Sequence, residues 1–171
     1  MKKMQPSAGF TVLELLAAAA IIGILAALII PNLSGYRARA EEAACTANMR
    51  AIIVGLGSYL QDHESVWPQS PSIEDEKPWE AFWASVLEPY DITKKTWQCP
   101  SLRPKTSANP DFPQVHYVPM AFGPEPGIAY RWATQPWLIE RASEHRNGPL
   151  IGFQDGSIKS FQKVLAENGV Q

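Results

Sequence analysis

Sixteen consecutive residues near the N-terminus, Leu15 to Ile30, carry no charge and are almost all Leu, Ile or Ala. A chain of 171 residues has no interior deep enough to surround such a helix on every side. The segment therefore demands lipid or other apolar helices. From Phe10 to Pro31 a helix would span about 33 Å, against a hydrocarbon core of about 30 Å. Met1 to Gly9, just before it, holds Lys2 and Lys3 and no acid. One residue breaks the pattern. Glu14 stands where the hydrophobic run calls for Leu or Ile. A carboxylate within a bilayer costs on the order of a few kcal/mol unless it lies near the interface or has a partner.

Three readings fit a basic start followed by an apolar run. The first is an ordinary secretory signal cut after Ala38-Arg39-Ala40. That site lies well beyond Ile30, and Tyr36, Arg37 and Arg39 make the intervening segment long and basic. The second is a permanent anchor, which gains nothing from Glu14. In the third, Glu14 neutralises a cation supplied by a neighbouring copy of the chain.

The run Gly9-Phe10-Thr11-Val12-Leu13-Glu14-Leu15 resembles the N-terminal signal of type IV pilins and type II secretion pseudopilins. The resemblance implies cleavage between Gly9 and Phe10 by a prepilin peptidase and N-methylation of Phe10. Glu14 becomes the fifth mature residue, and Pro31 falls where many of these helices bend. The resemblance further implies a single-pass protein of the bacterial inner membrane, N-terminus cytoplasmic and head outside. Its partners would be lipid before assembly, then an inner-membrane assembly platform, other pilins and further copies of itself in a filament. The charge count does not decide the orientation, because Arg37 and Arg39 balance Lys2 and Lys3 across the span. In a stack of helices, the Glu14 carboxylate of one copy would pair with the Phe10 ammonium of the next and set their stagger.

Beyond Pro31, strong helix formers lead into Met49, Ile52, Ile53, Leu56, Tyr59 and Leu60, spaced by threes and fours along one face. The remainder is different in kind. Of 15 prolines, 13 lie between Pro68 and Pro149, and all six tryptophans lie between Trp67 and Trp137. The expected organisation is a leader over residues 1–9, an apolar assembly helix over 10–31, its amphipathic continuation over 32–62 and a head over 63–171. Trp79 to Leu87 reads as a short helix. Val115 to Met120 and Ile128 to Trp132 read as strands. Leu150 to Phe161 reads as a hairpin turning at Asp155-Gly156, and Lys163 to Asn168 as a helical turn. A long helix followed by short antiparallel strands is an α+β fold, here of the pilin-like kind.

The net charge of −2 and pI of about 5.9 give no basic excess for nucleic acid. Cys45 and Cys99 lack the spacing of a zinc motif. Outside the cytoplasm they read as a disulfide tying helix to head, two thiols in a core being the alternative. His145 followed by Asp155-Gly156 is similar to a spacing that names one pilin-like branch, and is expected to be a structural turn motif. His145, Asp155 and Ser157 hold the letters of a hydrolytic triad, but no nucleophile elbow accompanies them, so no catalytic role is expected. No cofactor is expected. Calcium, which some major pseudopilins bind near the C-terminus, would find only Asp155 there, while Glu74-Asp75-Glu76 reads as a solvated loop cluster. The tryptophans leave a rival function open: a membrane-anchored monomer that recognises a partner or glycan through Trp67, Trp79 and Trp83.

Overall fold

A computed structural model of the chain describes residues 11–30, 33–109, 112–141 and 145–169. The chain divides into two compact units, residues 1–37 and 38–171. In the first unit, α1 (Val12–Ile29) is an 18-residue helix with no buried residue. The next helix, α2 (Leu33–Asp62), begins in this unit and passes into the second.

The second unit is built on the apolar face of α2. Cys45, Met49, Ile52, Ile53, Leu56 and Leu60 are buried there, while Val54, on the opposite face, is 68% exposed. The three-and-four spacing brings the first set onto one stripe. A four-stranded antiparallel sheet of order β1-β2-β3-β4 follows. Its strands are β1 (Tyr117–Pro119), β2 (Pro136–Glu140), β3 (Leu150–Phe153) and β4 (Ile158–Ser160). Its register pairs Val118 with Ile139, Ile139 with Ile151, and Ile151 with Lys159. Helix and sheet meet closely at Gly152, where an added Cβ would lie 2.8 Å from Ile53 Cδ1 and 3.3 Å from Met49 Cε. A larger residue here would have to push aside the ends of the Ile53, Ile158 and Met49 side chains. The result is an α+β, pilin-like fold.

Around this pair, α3 (Glu76–Val86) turns Trp79 and Trp83 inward. A short α4 (Arg103–Ala108) lies in the segment after Cys99, and α5 (Phe161–Glu167) closes the chain. Trp67 stands at the centre of the aromatic core, 5.4 Å from the Trp137 ring and 6.3 Å from Trp83. Trp83 in turn lies 6.3 Å from Trp79 and 6.5 Å from Trp97.

Three local expectations are corrected. Ile128 to Trp132 is not a strand: Ile128–Tyr130 is a 3-10 turn entered through Gly127 at φ 74°, whose amide donates to the Ser65 carbonyl. The strand is instead Pro136–Glu140, which the proline obscured. A proline is tolerated as a first strand residue, and this one holds that place. The β3–β4 turn has three loop residues rather than two. Gly156 N donates to Phe153 O, and Phe153 N donates to Ser157 O, with Gly156 at φ 78° between them. That is a type I turn closed by a glycine bulge.

Candidate functional site

The sequence-marked residues fall at two places, the start of α1 and the interior of the second unit. At the first, Gly9, Phe10 and Pro31 lie outside the described residues. Thr11 and Glu14 are within them and form a reciprocal pair. Glu14 N donates to Thr11 Oγ1 at 3.2 Å, while Thr11 N and Thr11 Oγ1 donate to Glu14 Oε2 at 2.8 and 2.9 Å. This is a capping box, which satisfies amides that the first turn of a helix leaves without partners. The reading of Glu14 as useless to a single chain is therefore corrected. The Thr-x-x-Glu spacing at Thr11 is the sequence signal of this cap, and hydropathy alone does not register it.

Past this cap the helix is apolar all round. Val12 and Leu13 are 76% exposed, and Leu15, Ile22 and Leu28 remain largely exposed as well. The span Val12–Ile29 is long and apolar enough to cross a membrane, with a mean hydropathy of 2.7 and no residue covered by the rest of the chain. About 27 Å of helix thus presents side chains that water solvates poorly. Nothing charged interrupts that surface after Glu14.

At the second place, Cys45 and Cys99 are joined in a disulfide, with Cα atoms 5.1 Å apart. The bond fastens α2 to the segment before α4. His145 sits beside it, with Nε2 3.7 Å from Cys99 Sγ and donating to Glu140 Oε1 at 3.1 Å. Glu140 also accepts the Leu150 amide on Oε2, across the gap between β2 and β3. Both side chains are buried. His116 flanks the same cysteine, its Nδ1 accepting the Cys99 amide at 2.9 Å. Burial holds the His116 pKa below the ordinary histidine range, and the charges of Arg141 and Arg103 press the same way; the Pro113 carbonyl, which accepts from Nε2, opposes them.

Asp155 has other work. Its Oδ1 accepts the Ser157 amide at 2.8 Å within the β3–β4 turn. Its pKa is lowered by hydrogen bonds from Ser157, side chain before backbone. His145 and Asp155 thus belong to different structures, a buried pair with Glu140 and an exposed turn, and the triad letters are not assembled as a triad. Five tryptophans are also accounted for. Trp67, Trp79, Trp83, Trp97 and Trp137 are at most 3% exposed, and only Trp132, at 60%, faces solvent. The first three therefore offer no surface to a ligand: they supply the apolar mass that a small proline-rich head otherwise lacks.

Residues 4–30 match the prokaryotic N-terminal methylation motif. The chain is similar to type II secretion system core protein G of Vibrio cholerae, 38% identical over 68 residues, which are 40% of this chain and 46% of that protein. It is similar to the type IV major fimbrial protein FimA of Dichelobacter nodosus, 36% identical over 98 residues, or 55% of this chain and 60% of that one. The major component of the wide type IV pilus of Thermus thermophilus is 42% identical over 62 residues, 36% of this chain and 47% of that protein. The chain thus spans about half the length of the curated relatives it matches. No solved structure matches it. The chain thus carries the methylation motif at its N-terminus and is similar in part to type IV pilins and to a type II secretion core protein.

Proposed function

We propose that this chain is a prepilin-type structural subunit, processed by a prepilin peptidase between Gly9 and Phe10 and assembled into a pseudopilus or pilus-like filament. The observation that carries the reading is a fully uncovered apolar helix that begins with a methylation motif and holds one carboxylate, Glu14. Before assembly the helix sits in the inner membrane, N-terminus on the cytoplasmic side and head outside. In the filament, equivalent helices replace the lipid.

The mechanism is mechanical. Cleavage after Gly9 frees an ammonium on Phe10, and in a neighbouring copy Glu14 offers the opposite charge. In a low-dielectric bundle their attraction is strong at short range and weak out of register, so the pair favours one axial stagger. Ala17 to Ala20 and Gly23 keep the helix surface slim enough for close approach. No turnover is involved, and the disulfide keeps the head attached to α2 as the subunit moves.

Intact-mass analysis of the membrane-extracted protein tests the processing. The expected mass lacks nine residues and gains one methyl on Phe10. An N-terminus at Glu41 would overturn the proposal in favour of a secreted, unanchored head.

A further inference from the structure

Four side chains that could each donate one ligand atom meet in the interior of the head. The sulfurs of Cys45 and Cys99, a carboxylate oxygen of Glu140 and a ring nitrogen of His145 all lie within 4.8 Å of one another, and every one is buried. One edge of this cluster already has the length found around a small tetrahedral ion, and a second is a few tenths of an ångström short of it. With metal–ligand bonds of about 2.0–2.3 Å, neighbouring ligand atoms stand roughly 3.3–3.8 Å apart. Cys99 Sγ to His145 Nε2 is 3.7 Å, and His145 Nε2 to Glu140 Oε1 is 3.1 Å. The Leu150 amide holds Glu140 Oε2, which turns Oε1 toward the sulfurs and supplies the outer contact that orients a metal-bound carboxylate. A disulfide and a hydrophobic core need neither the acid nor the imidazole, and burying both is costly.

We propose that the head, while its cysteines are still reduced, binds one zinc ion through Cys45, Cys99, His145 and Glu140, and that this complex and the disulfide are alternative fastenings of α2 to the head. Zinc binding itself changes no oxidation state. A new chain carries two thiols, each of which releases its proton to water as its sulfur takes a coordination bond to the ion. His145 gives the lone pair of Nε2 once its hydrogen bond to Glu140 is exchanged for the metal, and Glu140 gives an Oε1 lone pair. Two sulfurs, one nitrogen and one oxygen make a mixed donor set that suits zinc and is poor for calcium or magnesium, which take oxygen alone. Conversion to the disulfide is a two-electron oxidation: an external disulfide accepts the electrons by thiol–disulfide exchange and leaves as a dithiol, the Cys45–Cys99 bond forms, zinc is released, and the His145–Glu140 hydrogen bond stays as the structure records it.

The test uses the full-length chain in detergent micelles, reduced with a phosphine under anaerobic conditions and titrated with Co²⁺ as a spectroscopic stand-in. One equivalent is expected to give sulfur-to-cobalt charge-transfer absorption and the intense visible bands of a tetrahedral ion, both erased by one equivalent of Zn²⁺. The oxidised chain is expected to give neither. His145→Asn and Glu140→Gln should each weaken the affinity by at least the 10- to 100-fold or so that loss of an outer contact costs. Should reduction loosen the head, Zn²⁺ is expected to restore its tryptophan fluorescence, because binding is coupled to folding. Absence of thiolate–cobalt absorption overturns the proposal. So does binding that His145→Asn and Glu140→Gln leave unchanged, since the cysteines alone would then be the site.

Discussion

Thr11 and Glu14 hold each other across the first turn of α1, the hydroxyl accepting the Glu14 amide while the carboxylate accepts both the hydroxyl and the Thr11 amide. In the proposed filament one carboxylate therefore has two claimants, the amide and hydroxyl of Thr11 and the ammonium of a neighbouring copy. Carboxylates accept several hydrogen bonds at once, so the two uses are compatible. Their separation makes the first prediction. Glu14→Gln keeps a capping side chain and removes the charge, whereas Thr11→Ala removes the cap and keeps the charge. Filament yield, scored by shearing and pelleting, should collapse in Glu14→Gln and in Glu14→Ala and survive in Thr11→Ala, with cleavage after Gly9 intact in all three. Normal filaments from Glu14→Gln would refute the charge pairing.

The second prediction concerns the bond between Cys45 and Cys99. It closes a loop with a sequence separation of 54. In the chain-entropy account, such a loop contributes about 4 kcal/mol by restricting the unfolded chain. The double variant Cys45→Ala, Cys99→Ala should lose a large part of this in guanidinium unfolding followed by tryptophan fluorescence. A change below about 1 kcal/mol would mean that native packing, not loop closure, sets the stability.

At the β3–β4 turn, Gly156 occupies the left-handed region at φ 78°, with open space around the position of a Cβ. Gly156→Ala should therefore destabilise through backbone strain alone, by about 1–2 kcal/mol. Gly156→Asn, which visits this region more readily, should cost less. Equal losses in the two variants would point to packing instead.

A fourth prediction follows from His116. Its folded-state pKa is lowered, chiefly by burial, so the folded head resists protonation that the unfolded chain accepts at about pH 6.5. The stability linked to this group is complete above that pH and is lost as the pH falls from there through the lowered folded value. The denaturant midpoint should drop accordingly on acidification, and the drop should be smaller in His116→Asn. A His116 ring resonance titrating near pH 6.5 by NMR in the folded protein would contradict the expectation.

The apolar rod and the α2 stripe were legible in the sequence because the first is an unbroken apolar run and the second a helical periodicity, and neither needs knowledge of distant residues. Met49, Ile52, Ile53 and Leu56 repeat at helical spacing and are all buried. Strand β2 was not legible. It opens with Pro136 and ends with Glu140, and only the sheet on one side and His145 on the other make that glutamate an interior residue. The bulged turn escaped for a related reason: Asp155-Gly156 serves a two- or a three-residue loop equally well, and the pairing of Phe153 with Ser157 decides between them. The tryptophans mark the same limit. Composition counts them, but only packing tells Trp67 in the core from Trp132 in solvent.

The disulfide also determines how the chain carries tension. A pull arriving along α2 from the N-terminal side reaches Cys45 and can cross directly to Cys99 through the sulfur bond. Residues 46–98, which include most of α2 and all of α3, lie on a slack branch of the covalent path. A load that leaves the chain beyond Cys99 can stretch them only if that bond breaks. Under the proposed function, a load that enters along α2 and leaves beyond Cys99 would keep Trp67, Trp79, Trp83 and Trp97 out of the line of force, and yielding would begin between Cys99 and the C-terminus, where the sheet lies.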